Sequence, residues 1–375
     1  MNGTTARARG RMVRLGRIFA VGMAAVAGAE LVGQGGYYAV RGYPVFAARD
    51  APFHQRALFE PHPYLAGRLR AGLSIQSAGK TITTTRTHTR WTGAPDTATT
   101  RVAVLGGSTT FGTRVSDADS WPALLQAELG PGYAVENHGV PGYSSTEAVI
   151  QVALILPETH SDVVVFYGGW NDLRNYHRPD AEPDGWSAGM EQYATLGLPI
   201  PPTAVSEDLA GGLARVSFLA RAVGGAARCL ELGKAAVPVP SREPDPRVDR
   251  LYARNLRTLK ALAWRDGAAV LFLPQTLNDA DFAGGTTGRP WSPRIVDDAM
   301  PGLMARFNGV MRDVAGSGET PLGRCAYADG VTSASWGPGD FADDGHLNRA
   351  GGLKLAGIVA AEIRCVPGAP GRGPR

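Results

Sequence analysis

Beyond residue 100 the chain alternates between short, densely apolar runs and longer stretches whose apolar positions recur at three- and four-residue spacing. The short runs predict buried strands over Val102–Leu105, Ala134–Glu136, Val163–Tyr167, Ala268–Leu273 and Cys325–Ala328. Between them, helices are expected over Trp121–Leu129, Thr146–Leu156, Val248–Arg265, Met300–Val314 and Arg349–Arg364. The first of these follows Ser120 and carries Pro122 in its first turn, the pattern of a capped start. Strand–helix alternation predicts an α/β fold in three layers, with a central parallel sheet covered by helices on both faces. Such sheets place their sites beyond the carboxyl ends of the strands, which singles out four loops.

The flanking regions break this rhythm. Residues 42–100 read as an N-terminal extension, with a Thr-rich alternating segment at Thr81–Thr85 that suggests a strand or hairpin. Gly93-Ala94-Pro95-Asp96 then punctuates the chain before the main domain, expected over 101–366. Residues 174–247 form a Pro- and Gly-rich interruption with an amphipathic, Ala-rich helix around Leu209–Lys234. It fits a lid over the site and a tolerated surface insertion equally well. The tail, 367–375, reads as disordered.

The first 41 residues concern location. Arg7, Arg9, Arg11, Arg14 and Arg17 precede an uncharged run from Ile18 to Ala29. With its Ala-x-Ala patterns at 25–29, this run fits a cleaved secretory signal. Extended to Val40 it approaches the roughly 20 residues a bilayer span requires, though Glu30 and Gln34 oppose that reading. A plain soluble helix is the third reading. Both export readings keep the arginines inside and place the rest outside the cytoplasm, anchored or secreted.

Composition adds two exclusions. The chain has 375 residues, 44% hydrophobic and 19% charged, enough to bury a core. Its net charge of +4 is less than the charge of those arginines together with Arg372 and Arg375, so the folded part is acidic and nucleic-acid binding is not indicated. Seven scattered histidines without His-x-x-x-His or Cys-x-x-Cys spacing suggest no metal site. Cys229, Cys325 and Cys365 allow one disulfide at most: Cys325 with Cys365 in an oxidising compartment, or none with reduced thiols.

The four loops carry the candidate chemistry. Gly106-Gly107-Ser108 follows the first strand, and its glycines let the chain turn sharply and present the hydroxyl of Ser108. Gly142, within Asn137–Ser145 after the second strand, can offer a backbone N–H without a side chain in the way. Asn171, after the third, can offer a side-chain N–H to an oxyanion, while Asp172 braces the loop. Asp343-Asp344-Gly345-His346 stands before the last helix, where Asp343 can accept from one ring nitrogen and aim the other at a nucleophile. Each loop alone reads more readily as ordinary turn chemistry or, for the last, as a surface ion pair. Their order, each piece at a strand end, is what distinguishes them.

Together these segments resemble the SGNH (GDSL-like) hydrolase superfamily from about Arg101 to Arg364, including Ser120-Trp121-Pro122-Ala123-Leu124-Leu125-Gln126 between the blocks. Pro61-His62-Pro63-Tyr64-Leu65 is similar to members with an N-terminal membrane segment. The resemblance implies a flavodoxin-like sheet, Ser108 as nucleophile, His346 as general base and Asp343 as its orienter. It implies an oxyanion hole made by the amides of Ser108 and Gly142 with the Asn171 side chain, and no cofactor. One departure is that the family's usual Asp before the serine is Gly107 here. The expected activity is hydrolysis of a small-molecule, glycan or lipid acyl ester. Transfer of the acyl group to a sugar hydroxyl and a non-catalytic glycan- or partner-binding domain are the alternatives. Gly185-Trp186-Ser187-Ala188-Gly189 matches a nucleophile elbow, but it follows a loop rather than the strand that motif needs.

Overall fold

A computed structural model describes residues 3–41, 58–60, 62–65, 67–77, 79–178, 217–219, 222–223, 239–283, 291–317 and 325–365. The chain divides into two compact units: Met1–His54 with Pro201–Val237, and Gln55–Ile200 with Pro238–Arg375.

The second unit is built on strands β1 (Thr100–Gly106), β2 (Tyr133–Asn137), β3 (Val163–Tyr167), β4 (Ala269–Leu273) and β5 (Cys325–Tyr327). All neighbours pair in parallel, in the order β2-β1-β3-β4-β5. The chain steps from β1 outward to β2 and then back across to β3, so the strand order switches direction at β1 and β3. In open α/β sheets that switch point, beyond the strand ends, is where ligands bind.

Helices α1 (Trp121–Leu129), α2 (Ser145–Thr159), α3 (Pro246–Arg265), α4 (Met300–Gly316) and α5 (Arg349–Cys365) cover the sheet. Strand β3 is buried throughout, and its alternation sorts the two faces. Val164 and Phe166 pack with Val152, Leu256, Leu259 and Phe307 from α2, α3 and α4. Val163, Val165 and Tyr167 pack with Leu125, Leu355 and Val359 from α1 and α5. Each such side chain contributes about 1.5–3 kcal/mol when fully buried, and these two cores make the three layers.

Local chemistry explains the helices. In α3, Val248, Tyr252, Leu256, Leu259 and Ala263 are buried at the spacing of one helical face. Asp245 starts the helix by accepting from the Arg247 amide at 3.0 Å, with Pro246 in the first turn. Ser120 does precede α1, but its hydroxyl donates to the Asp117 carbonyl at 2.8 Å and caps nothing.

The extension contributes an antiparallel hairpin, Ser74–Ser77 with Lys80–Thr83, and a pairing of Phe59–Glu60 with Arg68–Leu69. It belongs to the same unit as the sheet, and Arg90 N–H donates to the Asn137 carbonyl at the end of β2 (2.9 Å).

In the first unit Gly3–Arg41 is one long helix. Glu30, the acid within its apolar stretch, accepts from the amides of Phe218 and Leu219 at 2.6 and 3.0 Å and from the Ser217 hydroxyl at 3.0 Å. Among the described residues no helix is long and apolar enough to cross a membrane, so the bilayer-spanning reading gains no support there. Of the helix expected at 209–234, only 217–219 and 222–223 are described. The 185–189 motif, the 367–375 tail and the side chains of Cys229, Cys325 and Cys365 lie outside the described residues.

Candidate active site

Ser108 opens a four-residue helix, Ser108–Phe111, directly after β1. That turn is tied to the neighbouring strand, because the Thr110 hydroxyl donates to the carbonyl of Tyr167 at the end of β3 (2.9 Å). The Ser108 side chain is therefore presented at the rim of the sheet rather than buried in it.

His346 comes to this rim on a pinched turn. The Ala342 amide donates to the His346 carbonyl at 2.7 Å, and Asn348 accepts from the amides of Ala350 and Gly351 at the start of α5. Asp343 Oδ1 accepts from the amides of Gly345 at 3.2 Å and His346 at 2.8 Å, which fixes its carboxylate against the ring. His346 Nδ1 lies 2.8 and 3.0 Å from the two Asp343 oxygens, and Nε2 lies 2.8 Å from Ser108 Oγ. Three residues spread over the chain thus form one continuous hydrogen-bonded relay.

The electrostatics favour an ionised Asp343. Burial alone would raise its carboxyl, but the hydrogen bonds and charge of His346 and the Arg114 guanidinium hold it well below the ordinary range. Arg114 Nε donates to Asp343 Oδ2 at 2.6 Å from a half-exposed position. Neighbouring Asp344 behaves oppositely, since burial and then the Asp343 charge push it up to about 6. Asp343, Asp344 and His346 gather donor atoms within 4.8 Å of one another. Both ring nitrogens of His346 are already engaged, so a cation there would have to break the relay.

The donors sit opposite. Gly142 lies in a turn closed by Tyr143 N–H to the Val140 carbonyl at 3.0 Å, with φ +92°. That left-handed conformation favours glycine, and the Gly142 amide donates to no group among the described residues. Asn171 is buried, and its Nδ2 donates to the Tyr143 carbonyl at 2.8 Å. A side-chain amide has two N–H bonds, so this contact orients the group and leaves one hydrogen for a ligand. A Cβ on Gly107 would stand 2.6 Å from Asn171 Nδ2, so the glycine at the family's Asp position makes room for that amide.

Beneath these donors lies a buried polar layer. Asp172 accepts from the Ser145 amide at 3.1 and 3.0 Å and from its hydroxyl, and Asn255 donates to Ser145 Oγ at 2.9 Å. Burial raises Asp172 to about 7 despite those bonds, and the charge of Glu147 adds to the rise. Glu147 is itself raised by burial, and accepts from the Ser144 amide at 2.8 Å and hydroxyl at 2.6 Å.

Every residue expected at the site is therefore brought to one rim, with His346 hydrogen-bonded to both Ser108 and Asp343. Arg114, Tyr143 and Glu147 went unnoticed in the sequence. Arg114 meets a partner 229 residues away, and no local spacing signals that.

On a doubly wound parallel sheet, this geometry sets a serine hydroxyl, an imidazole and a carboxylate in one hydrogen-bonded line at the rim. The model of the GDSL-like Lipase/Acylhydrolase family matches residues 104–352, spanning all four loops. The chain belongs to that family, and is an ester-hydrolysing enzyme with the SGNH fold. A comparison with curated proteins finds no match. Among solved structures the chain is similar to TesA at 18% identity, covering 71% of this chain and 99% of that one, with a TM-score of 0.40. It is also similar to LAE5, an alpha/beta hydrolase from the metagenome of Lake Arreo, Spain (16% identity, 72% and 98% covered, TM-score 0.41). A third is a variant of Axe2, an acetyl xylan esterase from Geobacillus stearothermophilus (15% identity, 71% and 95% covered, TM-score 0.40).

Proposed function

We propose that this protein is a serine esterase in which Ser108 attacks the carbonyl carbon of a small-molecule or glycan acyl ester. His346 Nε2 takes the Ser108 proton as the C–O bond forms. Asp343, on Nδ1, keeps the ring in the tautomer that can accept it and offsets the imidazolium charge. The Ser108 and Gly142 amides and the second N–H of Asn171 meet the developing oxyanion. Collapse breaks the ester C–O bond, and the leaving alcohol takes the proton back from His346. Water, deprotonated by the same ring, then cleaves the acyl-Ser108 ester and releases the carboxylic acid. The N-terminal arginines and apolar run further suggest that this chemistry is done outside the cytoplasm, in a tethered or released form.

The observation that carries the reading is the relay itself, 2.8 Å at Ser108–His346 and 2.8 Å at His346–Asp343, in a chain of an acylhydrolase family. Turnover of p-nitrophenyl esters and labelling by a fluorophosphonate probe test it together. Ser108→Ala is expected to abolish both, and Asn171→Ala to lower kcat by roughly 10²–10³ with the fold intact. Wild-type turnover by purified Ser108→Ala would end the assignment. Product analysis with and without polysaccharide acceptors separates hydrolysis from acyl transfer.

A further inference from the structure

Arg90 is a fully buried arginine outside the relay and the donors, and it lies ahead of residue 104, where the family match begins. Its guanidinium is spent on the segment that follows the nucleophile. One terminal nitrogen donates to the carbonyls of Phe111 and Gly112, both at 2.5 Å, and the other to Val115 at 2.7 Å. Nε donates to Asp117 Oδ1 at 3.1 Å, and the guanidinium carbon stands 4.6 Å above the Phe111 ring. Phe111 ends the helix that Ser108 begins and Gly112 is its C-cap, so two of these carbonyls belong to the end of that turn.

The clamp is held from its own side as well. Arg90 bridges Thr84 of the extension and Asn137 at the end of β2. The Asn137 side chain in turn donates to the Thr110 carbonyl at 3.2 Å, inside the nucleophile helix. Asp117, the counter-charge, also accepts from the Thr83 amide at 3.1 Å. The extension thus reaches the serine turn twice, through a side chain and through a strand end.

Only a guanidinium satisfies this arrangement. Its planar fork can serve three carbonyls and a carboxylate at once, where an ammonium is a point donor and an apolar residue would take a donor from each of these four oxygens. Burying such a charge merely to join two segments is an expensive choice, since apolar packing would do that. What the fork supplies in addition is direction: it fixes where the last carbonyls of the turn point, and hence where the turn's first side chain lies.

We infer that Arg90 is a positioning residue for the nucleophile, a clamp supplied by the N-terminal extension that sets Ser108 Oγ within reach of His346. This rests on the proposed role of Ser108 and adds that the extension is part of the catalytic apparatus.

The test uses full-length Arg90→Lys, with Ser108→Ala and wild type in parallel, below the melting transition. Misplacement of a reacting group by about 1 Å costs on the order of 10²-fold. Arg90→Lys is expected to lose roughly 10- to 100-fold in kcat with KM within about twofold of wild type, on the scale of that loss. Fluorophosphonate labelling should slow by the same factor, since it reads Ser108 reactivity without turnover. A purely structural role would lower the melting temperature and leave kcat and labelling unchanged in the folded protein, and that result overturns the inference. If Arg90→Lys does not fold, Asp117→Ala keeps the guanidinium but removes its anchor. It should then show the same matched, smaller fall in kcat and labelling, and wild-type values for both would equally overturn the inference. An active Ser108→Ala would instead sink the nucleophile assignment itself.

Discussion

Placing the family's usual aspartate at position 107 should harm this enzyme. A Cβ there would stand 2.6 Å from Asn171 Nδ2 and 3.1 Å from the Tyr143 carbonyl oxygen, against 3.4–4 Å for ordinary contact. Something must move by most of an ångström. The Tyr143 oxygen is backbone, so the Asn171 amide gives way. That amide is buried and held to Tyr143 at 2.8 Å, so a shift breaks its bond or turns its second N–H from the oxyanion position. Because the yielding group is a side-chain end, the stability cost should fall at the low side of the ~1–3 kcal/mol typical of overpacking. With Asn171 in its proposed role, the catalytic cost is that of one lost oxyanion donor, roughly 10²–10³ in kcat, or about 2.7–4 kcal/mol of barrier. Activity and stability therefore separate. A double-mutant cycle makes this strict: Gly107→Ala should cost about 10²-fold in the wild type and almost nothing in Asn171→Ala, whose short side chain removes the clash. Ester turnover and thermal melts of the four proteins measure it. Wild-type kcat in Gly107→Ala, or the same fold-loss in both backgrounds, refutes the reasoning.

Other outcomes follow from the charged groups. Asp172, at about 7 in the folded chain against an ordinary 3.8, binds a proton that the unfolded chain has released, so it costs stability as pH rises from about 4 to 7 and no further above that. Asp172→Asn should remove this slope, gaining on wild type by on the order of 4 kcal/mol between pH 4 and pH 8 (about three pH units at about 1.36 kcal/mol each) in chemical denaturation. A difference that does not change with pH would contradict the buried, proton-binding carboxyl. Asp343 has the opposite sign: its depressed carboxyl stabilises the folded chain above the ordinary carboxylate range, and that contribution is lost as pH falls through the folded value. Arg114→Ala removes a half-exposed partner of Asp343 and should cost at most roughly fivefold in kcat/KM, the scale of a 0.2–1 kcal/mol surface pair, less at high salt.

Much of this architecture was legible because it is written locally. β3 coincides with the expected Val163–Tyr167, and α1 with Trp121–Leu129, since a buried strand needs a continuous apolar run and a helix a recurring face. The candidate site was legible for a different reason: a parallel sheet gathers its ligand loops at strand ends, where the patterns stop, and Ser108, Gly142, Asn171, Asp343 and His346 all lie in such loops. What could not be read depends on which distant segments meet. Ser120 has the right residue type and place for a cap, yet the Asp117 carbonyl, brought round by a 3₁₀ turn, takes its hydroxyl. Arg90 follows the hairpin in a Thr-rich stretch with no pattern to mark it, because most of its partners are carbonyls, and every residue has one.

The buried polar layer beneath the rim has a physical rationale that apolar packing cannot supply. Dispersion and hydrophobic burial depend on area and are almost indifferent to the rotation of a peptide plane. An oxyanion hole is nothing but rotation, since its amides help only if they point at the charge as it develops. Asp172 and Glu147 grip the amides of Ser145 and Ser144, and the Tyr143 carbonyl grips Asn171, so the Gly142 turn and the Asn171 loop are locked to each other by directed bonds. Burial raises the proton affinity of both carboxyls, the direction expected when a charge is held in such a layer at a cost to the fold. If stability surrendered below the site supplies the fixed direction within it, substitutions in this layer should lower kcat even where, as in Asp172→Asn above pH 7, they raise the melting temperature.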